Sequence, residues 1–203
     1  MPTVLVPAAR LERWVLNFNG RHGTTGLGVA GGALTGAASD GSTFSARLPF
    51  DEAYDGLPDA GAFAAAAVAP KRWGVLLVRK GGFAVARLKS TELVEHKIGQ
   101  RHVQGRTKAG GQSQQRFARR RDNQARQAFE AAADHAARIL GASGDLVVVT
   151  GGDHAAVTEV LADPRLGRLR VVDPWLAVPD PKRAVLDQAV ADAQAIRIDV
   201  HNA

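Results

Sequence analysis

The sequence predicts an α/β fold, a mixed β-sheet with flanking helices, and three observations predict it. WGVLLVR (73–79) and FAVARL (83–88) are apolar runs on either side of Lys80-Gly81-Gly82, a hairpin-type turn. LVVVTG (146–151) is an uninterrupted apolar run, the pattern of a strand inside a sheet with both faces covered. Between them, about 113–140 places Phe117, Ala125, Ala128, Phe129, Ala132, Ala136, Ile139 and Leu140 on one stripe of a long helix.

The remaining elements follow in order. Residues 9–18 set Leu11, Trp14, Val15 and Phe18 at helical spacing, so a short amphipathic helix is expected there. Residues 19–42 are rich in Gly, Thr, Ser and Ala and read as loops or short strands; Thr43 to Phe50 reads as a strand closed by Pro49. The Ala-rich stretch 60–69 reads as packing or linker and ends at Pro70. ELVEHKIGQRHVQ (92–104) continues the hairpin as a longer, more polar strand, and 105–111 is a loop. Gly141 and Gly144 end the long helix. A short helix (154–162) stops at Asp163-Pro164, LRVVD (169–173) is a strand, 181–195 a helix and IRIDV (196–200) a last strand. The chain is therefore divided into an N-terminal region, 1–70, of unread role and an α/β domain, 71–203.

Composition narrows the class. The 203 residues hold 45% hydrophobic residues, enough for a real core, and a formal net charge of +6, which favours polyanionic partners. The sequence has no cysteine, which excludes disulfides, thiolate nucleophiles and Cys-based zinc sites and suits a reducing cytoplasm. No apolar run approaches the roughly 20 residues of a membrane span, and MPTVLVPAARLERW lacks the pattern of a secretion signal. A cytoplasmic protein with no membrane partner is expected.

The informative stretch is GRTKAGGQSQQRFARRR (105–121). Paired glycines before a helix let the backbone take positive φ and approach a ligand without Cβ clashes. Ser113 is placed to cap that helix, whose first amides and dipole favour anions. Between Arg101 and Arg126 stand Arg106, Lys108, Arg116, Arg119, Arg120 and Arg121, opposed only by Asp122. Two readings of these residues stay open: a probe pushed among phosphates, or a basic helix start facing solvent. Gly-Gly-Gln alone is a weak motif.

GGQSQQRFARRR resembles the catalytic loop and following helix of the eukaryotic and archaeal class-1 peptide-chain release factors. The hairpin and long strand before it (73–104) follow that family's order of elements. LVVVTGGDHAAVTEVLADPRLGRLRVVD (146–173) is similar to its later strand, helix and Asp-Pro-Arg-Leu turn. The resemblance covers about 71–195, and loop, flanks and distal turn agree together. More narrowly, the size and the basic loop resemble the actinobacterial branch of the Vms-like release factors, which act in ribosome rescue. The stop-codon-reading and GTPase-binding domains of termination factors have no counterpart here, nor do the ankyrin and zinc-binding segments of the large eukaryotic rescue proteins.

The resemblance implies a fold like the central catalytic domain of those factors and a peptidyl-tRNA hydrolase activity. Its partners would be large-subunit rRNA and peptidyl-tRNA, it would act as a monomer, and no cofactor is implied. Gln112 would carry catalysis: its backbone N–H donates to the oxyanion or the leaving 3′-oxygen, and its side chain restricts the nucleophile to water. Gly110 and Gly111 would let the loop tip, 105–113, fit the peptidyl-transferase centre. Arg106, Lys108, Arg116, Arg119, Arg120 and Arg121 would contact RNA, and Ser113 would cap the helix rather than attack the ester. Gln112 is also the residue whose methylation the family pattern implies. Two rival readings are a non-catalytic ribosome- or tRNA-binding factor, against which the intact Gly-Gly-Gln speaks, and a nuclease, which would want a carboxylate cluster for metal ions.

Other signals carry less. Gly26-Leu27-Gly28-Val29-Ala30-Gly31 satisfies the dinucleotide pattern but lacks a buried strand before it and a helix after it. His96, His102 and His135 have no metal-ligand spacing, so no metal site is expected. Asp153-His154 follows a strand end without a serine elbow. Trp73 and Phe83 read as core.

Overall fold

The computed structural model describes the backbone of residues 2–100, 112–141 and 144–203, and the side chains of the same residues apart from 100 and 112–125. The chain forms two compact units, 1–70 with 190–203, and 71–189.

The first unit is a five-stranded antiparallel sheet. Its strands are β1 (Thr3–Val6), β2 (Thr25–Ala30), β3 (Ala33–Ala38), β4 (Thr43–Arg47) and β10 (Ile196–His201), in the order β1-β10-β4-β3-β2. The helix expected at 9–18 is present as α1 (Leu11–His22), which buries Leu11, Val15 and Phe18. Phe44 of β4 meets the rings of Trp14 and Phe18 edge-on, each at 5.1 Å between centroids. The stretch 60–69 contains a second helix, α2 (Ala60–Ala66), capped by the Asp59 carboxylate, which accepts from the Ala62 N–H. Gly31 and Gly32, at φ +56° and +74°, make the two-residue turn between β2 and β3, as a tight hairpin requires. The Gly26-x-Gly28-x-x-Gly31 pattern is thus a hairpin rather than a strand-to-helix turn.

One sequence-based boundary is corrected here. Residues 190–203 were expected in the α/β domain, yet β10 lies between β1 and β4 and belongs to the first unit. Its alternation of Ile196 and Ile198, both fully buried, completes the core of that unit beside Leu34 and Ala46.

The second unit is the expected mixed sheet. Its strands are β5 (Trp73–Arg79), β6 (Gly82–Lys89), β7 (Glu92–Gln100), β8 (Leu146–Gly152) and β9 (Leu169–Leu176), in the order β7-β6-β5-β8-β9. β5, β6 and β7 are antiparallel neighbours, while β8 runs parallel to both β5 and β9. The apolar run at 146–152 therefore occupies an interior position, with neighbours on both sides. Helices α3 (Gln112–Ile139) and α4 (His154–Leu161) supply Ala132, Ala136, Ile139, Val157 and Val160 to a core shared with Leu76, Val78, Phe83 and Val148. Trp73 is fully buried, as expected, and its Nε1–H donates to the Ser90 carbonyl at 2.8 Å. Helix α5 (Arg183–Ala193) leads from this unit to β10.

Candidate functional site

The sheet of the second unit has one rim toward which the predicted loop is rooted. β5, β7, β8 and β9 point the same way, so Arg79, Gln100, Gly152 and Leu176 mark a common end of the sheet. The chain leaves β7 at Gln100 and is next described at Gln112, the first residue of α3. Gly110, Gly111, Arg106 and Lys108 lie outside the described residues. Gln112, Arg116, Arg119, Arg120 and Arg121 lie on the backbone of α3, where their side chains are not described. Ser113 is the second residue of that helix, inside the first turn, whereas an N-terminal cap precedes the first helical residue.

α3 is 28 residues long, about 42 Å at 1.5 Å per residue. Among its described side chains the buried ones lie in the C-terminal third: Ala132, Ala133, Ala136 and Ile139, followed by Leu140 just past the helix, are buried in the core, while Arg126 and Gln127 are exposed. The 17 residues from Gln112 to Ala128, N-terminal to that base, span about 25 Å of helix. Small alanines at the base let the helix axis approach the sheet closely, which fixes its direction.

Polar contacts grip the same base on two sides. The Glu95 carboxylate on β7 accepts from Arg138 of α3 at 2.5 Å and from Arg87 of β6 at 3.3 Å. The Arg87 hydrogen bond, and after it Arg138, hold Glu95 below the usual carboxylate range against the opposing effect of desolvation. On the other side Arg165 donates to Asp134 of α3 at 2.7 Å and to Asp163 at 2.6 Å. The Asp163 carboxylate also accepts from the Arg165 N–H, and its pKa falls to about 2, mainly through the Arg165 side chain. The Asp-Pro-Arg-Leu turn (163–166) is thus a bracket for α3. Between the two brackets His135 stacks on Phe83 at 5.6 Å, and burial lowers its pKa, with Lys97 and Arg138 adding to the shift. Across the strand pair from Phe83 stands Gly99; a Cβ there would lie 2.3 Å from the ring. Sequence reading missed Glu95, Arg138, Asp134 and Gly99, because charge pairing and packing between elements leave no local pattern.

Of the histidines and acids set aside in the sequence, His102 lies outside the described residues, and the others have ordinary partners. His96 shares a hydrogen bond with Arg183 at 3.2 Å. Asp153 caps α4 by accepting from the Ala156 N–H, and His154 stacks on Trp175 with ring centroids 3.6 Å apart. Among the described residues no group of three or more His, Asp or Glu could hold a metal ion, and no helix is long and apolar enough to cross a membrane.

Charge divides unevenly between the units. The first holds five arginines against eight acidic residues, the second 21 Lys and Arg against 12 acidic residues. The basic surplus of the chain therefore belongs wholly to the unit with the loop.

No curated protein matches the chain. Among solved structures it is similar to one described as the Vms1 mitochondrial localization core, at 10% identity and a TM-score of 0.42, over 93% of this chain and 81% of that one. A family model described as the Actinobacteria/chloroflexi VLRF1 release factor matches residues 71–199, which contain the whole mixed sheet, α3 and the Gly-Gly-Gln. With well over half of its length matched, the chain belongs to the actinobacterial and chloroflexi VLRF1 release-factor family.

Proposed function

We propose that the protein is a peptidyl-tRNA hydrolase that acts in the cytoplasm, as a monomer, and frees nascent peptides from stalled large ribosomal subunits. One observation carries the reading: a Gly-Gly-Gln whose glutamine opens a 28-residue helix, inside the segment that matches a release-factor family.

The chemistry asked of the chain is small. The bond to break is the ester between the peptide and the 3′-oxygen of the tRNA ribose, which is already activated. Water attacks the carbonyl carbon, an oxyanion develops, and the C–O bond to the ribose breaks with proton transfer to the leaving oxygen. No covalent intermediate on the protein is required. As the first residue of α3, Gln112 has a backbone N–H without an intrahelical acceptor. That donor sits at the positive end of the helix dipole, where developing negative charge is favoured. It is assigned to the oxyanion or the leaving oxygen, and the Gln112 side chain to holding the water. Loss of one such donor costs about 10²–10³ in rate. Gly110 and Gly111 give the tip its close approach, and Arg106, Lys108, Arg116, Arg119, Arg120 and Arg121 hold it on RNA phosphates. The helix itself is a rigid spacer of about 25 Å between the packed base and the tip, so the base sets where the tip goes.

The test is single-turnover release from large subunits carrying peptidyl-tRNA, with no stop codon present. Gln112→Ala is expected to slow release by at least about 10² while subunit binding persists. Release at the normal rate by that variant would remove the catalytic assignment; binding without release by the unaltered protein would favour a non-catalytic rescue factor.

A further inference from the structure

The rim of the sheet from which the loop departs carries a second feature that the proposed chemistry does not use. His154 is the first residue of α4, directly after the C-terminal end of β8, and its ring lies on Trp175 of β9 with centroids 3.6 Å apart and planes 12° from parallel. Trp175 itself packs against the core, whereas His154 is exposed. One face of the imidazole is therefore covered by indole and the other is open to solvent. Backbone contacts fix the support: the Asp153 N–H donates to the Val78 carbonyl at 2.8 Å, and Asp153 caps α4. Gly151 and Gly152 bring the chain so close that a Cβ on either would lie 2.3 Å from a carbonyl oxygen, of Leu176 and Val78 respectively. The stack is held from below and behind, with its open face outward.

The rim also carries charges of both signs, with Asp153 and Asp180 held as a helix cap and as the partner of Arg79. Lys80, in the β5–β6 turn on the same rim, and Lys182, just beyond the Val178–Asp180 segment that bonds Arg79, are both exposed and make no ion pair among the described residues. Four strand spacings of about 4.8 Å separate the root of the loop at Gln100 from Leu176, or roughly 19 Å. An exposed aromatic ledge with uncommitted ammonium groups on the same rim suits an unpaired nucleobase: the base stacks on the ring and cations take neighbouring phosphates.

We propose that the His154–Trp175 stack is a platform for one unpaired RNA base, a second anchor about 19 Å across the rim from the loop root that sets the orientation of α3 in the ribosome. The ligand is an unstacked base with its flanking phosphate, contributed by either rRNA or tRNA. The inference rests on the proposed ribosomal function, because it takes the second unit to be lodged in RNA.

The experiment uses the full chain carrying Gln112→Ala, so that binding is read without turnover, on purified large subunits with and without peptidyl-tRNA. Adding His154→Ala is expected to weaken binding about tenfold, as removal of one stacked base does, with the slope of log K against log salt unchanged. His154→Phe, which keeps a stacking ring, is expected to restore it. Chemical probing should show one nucleotide protected by the parent and exposed with His154→Ala; its place in rRNA or tRNA identifies the source. Lys80→Ala with Lys182→Ala should instead reduce the salt slope. Equal affinity and an unchanged protection pattern with His154→Ala, or failure of Phe to restore binding in a folded protein, overturns the platform alone. Absence of any subunit binding by the Gln112→Ala parent overturns both the platform and the functional reading beneath it.

Discussion

Glu95 on β7 and Arg138 near the end of α3 meet at 2.5 Å, so the strand that leads into the Gly-Gly-Gln loop and the helix that leads out of it share one carboxylate. Arg87 of β6 joins the same carboxylate and completes the bracket. Glu95→Gln keeps the size of the side chain and removes its charge. Two half-exposed ion pairs of this kind are together worth about 1 kcal/mol, and a loss of that order is expected in the unfolding free energy from urea titrations at pH 7. Because Glu95 is held below its ordinary value of 4.5, its contribution is complete above that pH and is lost as pH falls through the lower folded value. The difference between the two proteins should therefore close below pH 4.5. A difference that persists undiminished at about pH 3 would assign the effect to shape instead of charge.

Gly99 and Phe83 face one another across β6 and β7, and the ring occupies the volume that a side chain at 99 would need. Gly99→Ala must move the ring, which is also the surface on which His135 of α3 rests. Overpacking of this kind costs about 1–3 kcal/mol. Phe83→Leu alone leaves a void, but combined with Gly99→Ala it should recover part of both losses. Chemical denaturation of the four proteins forms a double-mutant cycle; simple additivity would show that the ring and the glycine do not share space.

His135 makes stability depend on pH near neutrality. Burial first, then Lys97 and Arg138, lower its pKa from 6.5, while Asp134 opposes them. The unfolded chain then takes up the proton before the folded one, so stability falls as pH drops through 6.5 and levels off once the folded value is passed. His135→Leu is expected to flatten that part of the profile between about pH 7 and 5.5, measured as unfolding midpoints in urea. A slope identical to that of the unaltered protein would assign the dependence to another group.

The second unit was legible in the sequence because its strands are long, apolar and punctuated: β5 and β6 around Lys80-Gly81, β8 as a continuous buried run, α4 stopped by Asp163-Pro164. The first unit was legible only in part: α1 and the strand from Thr43 could be read, but 19–42 only as loops or short strands. The strands there, TGLGVA and ALTGAA, are built largely from glycine and alanine, which are depleted in strands. They are strands because large rings fill the space: Phe44 lies over Gly36 of the neighbouring strand, where a Cβ would come within 2.1 Å, much as Phe83 lies over Gly99 in the other sheet. A glycine in such a pair reads as a breaker locally and as a socket only once its partner strand is known. β10 was legible as a strand but not by sheet, since its partners β1 and β4 lie near the other end of the chain. Of the candidate site, the Gly-Gly-Gln was visible as a motif. The brackets at the base of α3 were invisible, because Glu95–Arg138 and Asp134–Arg165 join separate elements.

The uneven charge of the two units yields the last expectation. All of the basic surplus lies in 71–189, and the first half of α3 contains Arg119 and Arg120 in adjacent positions. On the proposed reading each of the two is assigned a phosphate of its own. Replacing both by alanine should weaken subunit binding and lower the slope of log K against log salt by about 0.7–0.9 for each phosphate no longer neutralised, about 1.4–1.8 in total. Arg21→Ala with Arg47→Ala, in the acidic first unit, removes the same formal charge and should leave that slope where it was. Titrations at several salt concentrations compare the pairs directly. If both pairs change the slope alike, the effect belongs to net charge, and the arginines of α3 lose their assignment as specific phosphate ligands.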